Sequence, residues 1–235
     1  MFGTQARFPS AATHVEGNAG EWIRHVEDGD EVIFHFCPVC ASTVYWQLKS
    51  MPDFTSVAVG AFAAWAYTAP PLRLAARRGL GELTVGVCFG PLLVAGTVFA
   101  LTGRLFPEAL VAGVPLGTLT LAILWINEIP DAPSDRAAGK MNLVVVLGPR
   151  GAAIGYTMLV AFAFLAIVAG VALRMMPVYA LGSLLLAPLG IRAARIALAH
   201  HSDRSLVRAN AGTIQLNLLV GVLLTVGCLV AGLLR

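Results

Sequence analysis

Five apolar runs dominate the chain after residue 64, at 83–101, 109–126, 151–173, 175–191 and 214–234, each 17 to 23 residues long. A helix needs about 20 apolar residues to cross a hydrocarbon core of about 30 Å. Backbone groups in lipid must be paired within the protein, so only helices and closed barrels can span. Continuous apolar runs exclude the alternating pattern of barrel strands. The expectation is a mainly α, multi-span helical bundle of about five helices. Pro91 and Pro115 lie inside their runs and predict kinks, whereas Pro177 and Pro188 open or interrupt theirs.

Composition agrees with lipid as part of the solvent: 57% of the residues are hydrophobic and 12% charged, against about one quarter charged in soluble domains. A formal charge of +3 with scattered basic residues argues against nucleic acid as a partner. Cys37 and Cys40 form a close pair, while Cys88 and Cys228 lie in apolar runs, which is no disulfide framework. Residues 1–25 hold no apolar core of secretory type. Residues 1–56 are mixed polar and carry two strand patterns, 31–36 and 42–48, joined across Cys37-Pro38-Val39-Cys40, with a third at 55–62.

Charge asymmetry orients the spans. Arg73, Arg77, Arg78, Arg136, Lys140, Arg150, Arg192, Arg195, Arg204 and Arg208 flank one side, and Arg104, Arg174 and Arg235 the other. Ten against three places the first set, with the amino terminus, in the cytosol of a cell whose inner membrane holds the protein.

One loop concentrates the chemistry, Asn127-Glu128-Ile129-Pro130-Asp131-Ala132-Pro133-Ser134-Asp135-Arg136-Ala137-Ala138-Gly139-Lys140. Asn127, Asp131 and Asp135 recur every four residues and share one face if the helix extends into it. Amide and carboxylate oxygens suit Mg²⁺, which commonly bridges one or two carboxylates to substrate phosphates. Lys140 adds a point charge for phosphate oxygens. The bland alternative is a set of solvated helix caps.

The stretch NEIPDAPSDRAAGKMNLVVVLG resembles the second aspartate-rich motif of the UbiA prenyltransferase family, Asn-x-x-x-Asp-x-x-x-Asp-x-x-x-Gly-Lys before a Val-rich helix start. YTAPPLRLAARRGLGELTVGVCFGPLLVAGT is similar to the segment between that family's fourth and fifth helices. The resemblance covers about residues 65–235 and is nearest to the 1,4-dihydroxy-2-naphthoate polyprenyltransferase branch. It implies Mg²⁺-dependent transfer of a prenyl group from a polyprenyl diphosphate to an aromatic acceptor in the bilayer, as in quinone biosynthesis. By motif, Asn127, Asp131 and Asp135 would hold the metal and diphosphate, with Asp131, Asp135 and Lys140 catalytic. Asn127, Tyr67, Arg73 and Arg136 would bind substrate. The family's first aspartate motif has no counterpart before residue 65, so the other ligands fall to a partner chain, a second copy, or a further acidic group such as Glu82 or Asp203.

GEWIRHVEDGDEVIFHFCPVCASTVYWQLKSMPDFTSVAVGAFA resembles the later part of the glutathione-dependent formaldehyde-activating enzyme family, also called the CENP-V family, a small zinc-bearing β fold. By that resemblance Cys37 and Cys40 make half of a zinc site, with His35 and His25 as neighbours. Two thiolates leave a tetrahedral shell half empty, so no bound zinc is expected. The expected organisation is therefore a β fragment over 1–63 and a prenyltransferase half-domain over 65–235. A membrane scaffold or fusion product without catalysis, and a zinc-dependent carbon–sulfur lyase, are the alternatives.

Overall fold

The computed structural model describes residues 5–25, 29–36, 38, 43–58, 67, 72–201, 203 and 205–234. The amino-terminal strands are β1 (Gln5–Pro9), β2 (Gly20–His25), β3 (Glu31–Phe36), β4 (Thr43–Leu48) and β5 (Met51–Ala58). They form one antiparallel sheet in the order β1-β5-β4-β3-β2. The two central strands match the sequence expectation closely, the third begins four residues early at Met51, and β1 and β2 are additional. Cross-strand register explains the pairing: Trp22, Phe34 and Trp46 stand opposite one another, with ring centroids 5.5 and 6.0 Å apart. Such aromatic ladders are the unit of sheet stabilisation. On the other face His35 stacks on Tyr45 at 4.2 Å, and its Nδ1 lies 3.5 Å from the Glu21 carboxylate. Cys37 and Cys40, the zinc half-site of the sequence reading, lie outside the described residues.

The remainder is helical: α1 (Leu80–Cys88), α2 (Pro91–Thr102), α3 (Pro107–Ala137), α4 (Leu143–Ala172), α5 (Ala187–Ala199) and α6 (Leu206–Leu233). Short 3-10 segments precede α1 at Leu74–Ala76 and α5 at Val178–Leu186. They make five helical units long and apolar enough to cross a membrane, Leu80–Thr102, Pro107–Ala137, Leu143–Ala172, Val178–Ala199 and Leu206–Leu233. This is a multi-pass membrane protein with a small amino-terminal sheet.

The proline expectations divide. At Pro91 the first span breaks, because Gly90 leaves helical torsions (φ −124°, ψ −98°) and Pro91 starts α2 as its first residue. No residue of α3, Pro115 included, leaves helical torsions. The interruption that sequence reading missed is Gly148 in the first turns of α4, at φ 70° and ψ 171°, followed by Pro149. That region of backbone space is essentially reserved for glycine.

Packing draws on small residues. Gly86 and Gly90 meet Gly113 and Gly117 of α3, and a Cβ added to Gly113 would stand 2.6 Å from the Gly90 carbonyl. Two small-xxx-small stripes facing each other allow the backbones to approach closely, the usual device of helix association in lipid. Between α3 and α4 the buried Trp125 Nε1 donates to the Ala152 carbonyl at 2.8 Å, and between α4 and α6 the hydroxyls of Tyr156 and Thr213 lie 2.5 Å apart. The core runs through α3, α4, α5 and α6 and includes Leu119, Ile126, Val145, Tyr156 and Leu216. The start of α1, the α3–α4 turn and the α5–α6 connection consequently share one end of the bundle.

Candidate functional site

Helix α3 has 31 residues, about 46 Å at 1.5 Å per residue, longer than a hydrocarbon core of about 30 Å. Its last turns are the segment that the sequence reading took as a loop. The correction has a physical reason: Pro130 and Pro133 each remove one intrahelical donor, yet the Ser134 hydroxyl and the α3–α4 packing keep the final turns wound, Ser134 Oγ donating to the Asp131 carbonyl at 2.8 Å. The helical spacing of Asn127, Asp131 and Asp135 on one face is thus realised.

Each of the three has different surroundings. Asn127 is exposed and its Oδ1 accepts from Asn210 Nδ2 of α6. Asp131 is exposed and makes no ion pair among the described residues. Asp135 Oδ2 accepts from Lys140 Nζ at 2.8 Å and from Asn142 Nδ2 at 3.2 Å. Lys140 reaches a second carboxylate, Glu128 Oε1, at 3.2 Å. Its ammonium therefore sits between two acids seven residues apart on α3, which two helical turns place on one side. Burial pulls the Lys140 ammonium towards neutrality, but the hydrogen bond to Asp135 and the charge of Glu128 outweigh it and hold its pKa above the usual lysine range.

The turn carrying Lys140 is tied from several sides. Gly139 takes φ 73°, which lets the Lys140 N–H return to the Asp135 carbonyl at 2.9 Å. Asn142 caps α4 by accepting from the Val145 N–H at 2.8 Å. Glu82, only 2% exposed, accepts the Leu143 N–H at 2.7 Å from the first turn of α1. Such a carboxylate at a helix start is favoured by the helix dipole. Among the described residues the second oxygens of Glu82 and Glu128 are both buried and without a hydrogen-bond partner. A buried unpaired carboxylate oxygen is costly, and a donor or cation reaching either atom would offset that cost.

Tyr67 joins this group. Burial first, then the negative charge of Glu128, hold its phenol above the usual tyrosine range, and Lys140 and Glu82 act on it as well. Arg73 is exposed at φ 41° ahead of the 3-10 turn; that turn meets the α3–α4 connection through Ala76, whose carbonyl accepts the Met141 N–H at 3.3 Å. Arg136 points elsewhere. Its guanidinium donates to the Val145 carbonyl at 2.7 Å and lines a cleft of about 880 Å³ with Pro133, Pro149, His201 and Asp203, on the side of α3 away from the aspartates. Asp203 is engaged by His200 at 2.9 Å, in that separate cleft.

Among the described residues no three of His, Cys, Asp and Glu converge on one point as a metal set. Asn127 and Asp135 are themselves about 12 Å apart along the helix axis, too far to share one ion. Two neighbours one turn apart can share one ion with phosphate oxygens and water, and that fits Mg²⁺ coordination. Of the residues named from sequence, the structure brings Asp135 and Lys140 together; Glu128, Asn142 and Asn210, which that reading did not name as site residues, contact Lys140, Asp135 and Asn127 in turn, and the seven-residue interval from Glu128 to Asp135 was the available signal.

The profile of the UbiA prenyltransferase family matches residues 32–219. The match begins upstream of residue 65, inside the sheet, and the comparisons lend no support to the formaldehyde-activating enzyme resemblance of residues 1–63. A 1,4-dihydroxy-2-naphthoate octaprenyltransferase of Bacillus subtilis is 25% identical over 193 residues, 82% of this chain and 60% of that protein. Its namesake in Mycobacterium tuberculosis is 34% identical over 184 residues, 75% of this chain and 60% of that protein. A 2-carboxy-1,4-naphthoquinone phytyltransferase of Synechocystis is 30% identical over 105 residues, 45% of this chain and 34% of that protein. The chain thus spans about 60% of the length of the first two relatives. No solved structure matches it.

Proposed function

The chain belongs to the UbiA prenyltransferase family, and from that premise we propose that it serves prenyl transfer from a polyprenyl diphosphate to an aromatic acceptor of the naphthoate type, its α3–α4 end holding the diphosphate. The observation that carries this reading is the Lys140 ammonium poised between Glu128 and Asp135, one turn beyond the exposed carboxylate of Asp131. Asn127 with Asp131, or Asp131 with Asp135, would hold Mg²⁺. When bound, that ion supplies Lewis-acid charge to the departing diphosphate.

This chain's residues do the rest of the positioning. Lys140 moves from its carboxylates to the phosphate oxygens and offsets the charge that develops as the allylic C–O bond breaks. The diphosphate leaves with the bonding pair, an electron-rich ring carbon of the acceptor forms the new C–C bond, and that carbon then gives up its proton to the departed diphosphate, which restores the aromatic ring. Asn210 steadies Asn127, Asn142 steadies Asp135, and Glu82 steadies the turn between α3 and α4. Tyr67, kept as a protonated phenol, borders the pocket. A second acidic set, from another chain or another part of the protein, would hold a further cation against the diphosphate, and the amino terminus and this site face the cytosol of an inner membrane.

Calorimetric titration of the purified chain with a polyprenyl diphosphate and Mg²⁺ tests the proposal. Asp131→Asn and Asp135→Asn should each weaken binding about tenfold, the scale of one charge-assisted contact, while Asp53→Asn on the exposed sheet should not. Unchanged binding in both α3 variants would remove the diphosphate from this end of the bundle.

A further inference from the structure

A second groove opens at the same end of the bundle, between α5 and α6, with a volume of about 250 Å³. It is lined by Leu189, Ala193, Ile196, Ala211, Gly212 and Gln215, together with Arg192 and Arg208. The small residues make it a channel, since a Cβ added to Gly212 would meet only the Ala193 Cβ, at 3.7 Å. Both arginines are exposed and neither forms an ion pair among the described residues. From residue 187 to the carboxyl terminus the only acidic residue is Asp203, and His200 already engages it. Among the described residues no carboxylate is paired with either guanidinium group.

We propose that this groove binds one anionic phospholipid, its headgroup phosphate held by Arg192 and Arg208 and an acyl chain laid against Leu189, Ala193, Ile196 and Gly212. The charge selects the occupant. Guanidinium groups pair with phosphate through two parallel N–H donors, and basic pockets between spans at a membrane surface are suited to anionic headgroups. Arg192 lies deeper along its helix than Arg208, and its long side chain can reach the headgroup level while its methylenes stay in the apolar layer. A second copy of the chain on this face would, in a two-fold contact, set arginines against arginines, so the lipid is favoured over self-association.

The test uses the full chain in nanodiscs of phosphatidylcholine with a minority of phosphatidylglycerol, followed by native mass spectrometry of retained lipid. Phosphatidylglycerol should be retained at about one per chain in preference to phosphatidylcholine. Arg192→Gln and Arg208→Gln should each lower the preference about fivefold, and the double variant roughly thirtyfold, the scale of one basic side chain near a charged surface applied once and twice. Gly212→Leu, which fills the channel at unchanged charge, should release the lipid as well, whereas Arg195→Gln, on the same helix outside the groove, should not. Equal retention of both lipids, or a loss with Arg195→Gln as large as with Arg192→Gln, would overturn the proposal. Displacement of the retained lipid by farnesyl diphosphate would overturn it in favour of an isoprenoid diphosphate, and dimers in place of bound lipid would overturn it in favour of a second copy.

Discussion

Lys140 neutralises two carboxylates that the helix brings to one side, and that arrangement sets the consequence of removing it. With Lys140→Met the Glu128 carboxylate is left buried with neither oxygen paired by a cation, and roughly 1–3 kcal/mol of stability should be lost. Adding Glu128→Gln should recover part of it, because a neutral amide costs less to bury than a stranded charge; thermal unfolding in detergent measures both. The lysine also sets a pH dependence. Its pKa is raised on folding above the ordinary 10.5, so its contribution is complete below about 10.5 and is lost as pH rises through the elevated value. Wild type should therefore lose stability in that alkaline window more steeply than Lys140→Met. At this scale the sequence was partly legible. Asp135 and Lys140 stand in a recognisable run, but Arg136, their neighbour in sequence, projects about 100° further round the helix and serves α4 instead. Glu82 comes from a position 61 residues before its partner Leu143, an interval that no local pattern encodes.

Helix ends and crossings show a similar division. The apolar runs locate every span, since burial of hydrocarbon in lipid is read directly from composition. They do not locate where the helices continue into polar sequence, and α3 runs eleven residues past the end of its apolar run at 126 because its last turns pack on α4 and α6. Nor do they announce the nine-residue 3-10 opening of the fourth span at Val178–Leu186. Two glycines test the packing account. Gly117→Ala would push a methyl group into the Gly86 carbonyl and should destabilise by about 1–3 kcal/mol, the usual cost of overpacking. Gly148→Ala meets no neighbouring atom and should cost a comparable amount, roughly 1–3 kcal/mol, through backbone strain alone. Circular dichroism melts in one detergent would compare them, and a neutral Gly148→Ala would contradict the positive φ at that turn.

For the molecule as a whole, the five spans put the α3–α4 turn and the α5–α6 connection at one end and Leu105, between α2 and α3, at the other. With Cys37, Cys40, Cys88 and Cys228 replaced by Ser, single cysteines at Ser134 and Ser205 should be labelled from the same side by a membrane-impermeant maleimide, and one at Leu105 from the opposite side. Labelling of Ser134 and Ser205 from opposite sides would break the topology, and labelling of both from outside the cell would reverse the charge-based orientation. The sequence by itself determined that the chain crosses a membrane, roughly where, and that Asn127, Asp131 and Asp135 share one helix face ahead of a lysine, because hydropathy and helical period are local properties. Only the tertiary structure decided that Glu128 meets Lys140 and Glu82 meets the start of α4, that Arg136 turns to Val145, and that α5 and α6 leave a groove lined by two arginines without an ion pair among the described residues. Those outcomes depend on which helix faces meet, and facing is set by glycine contacts and helix ends far apart in the chain.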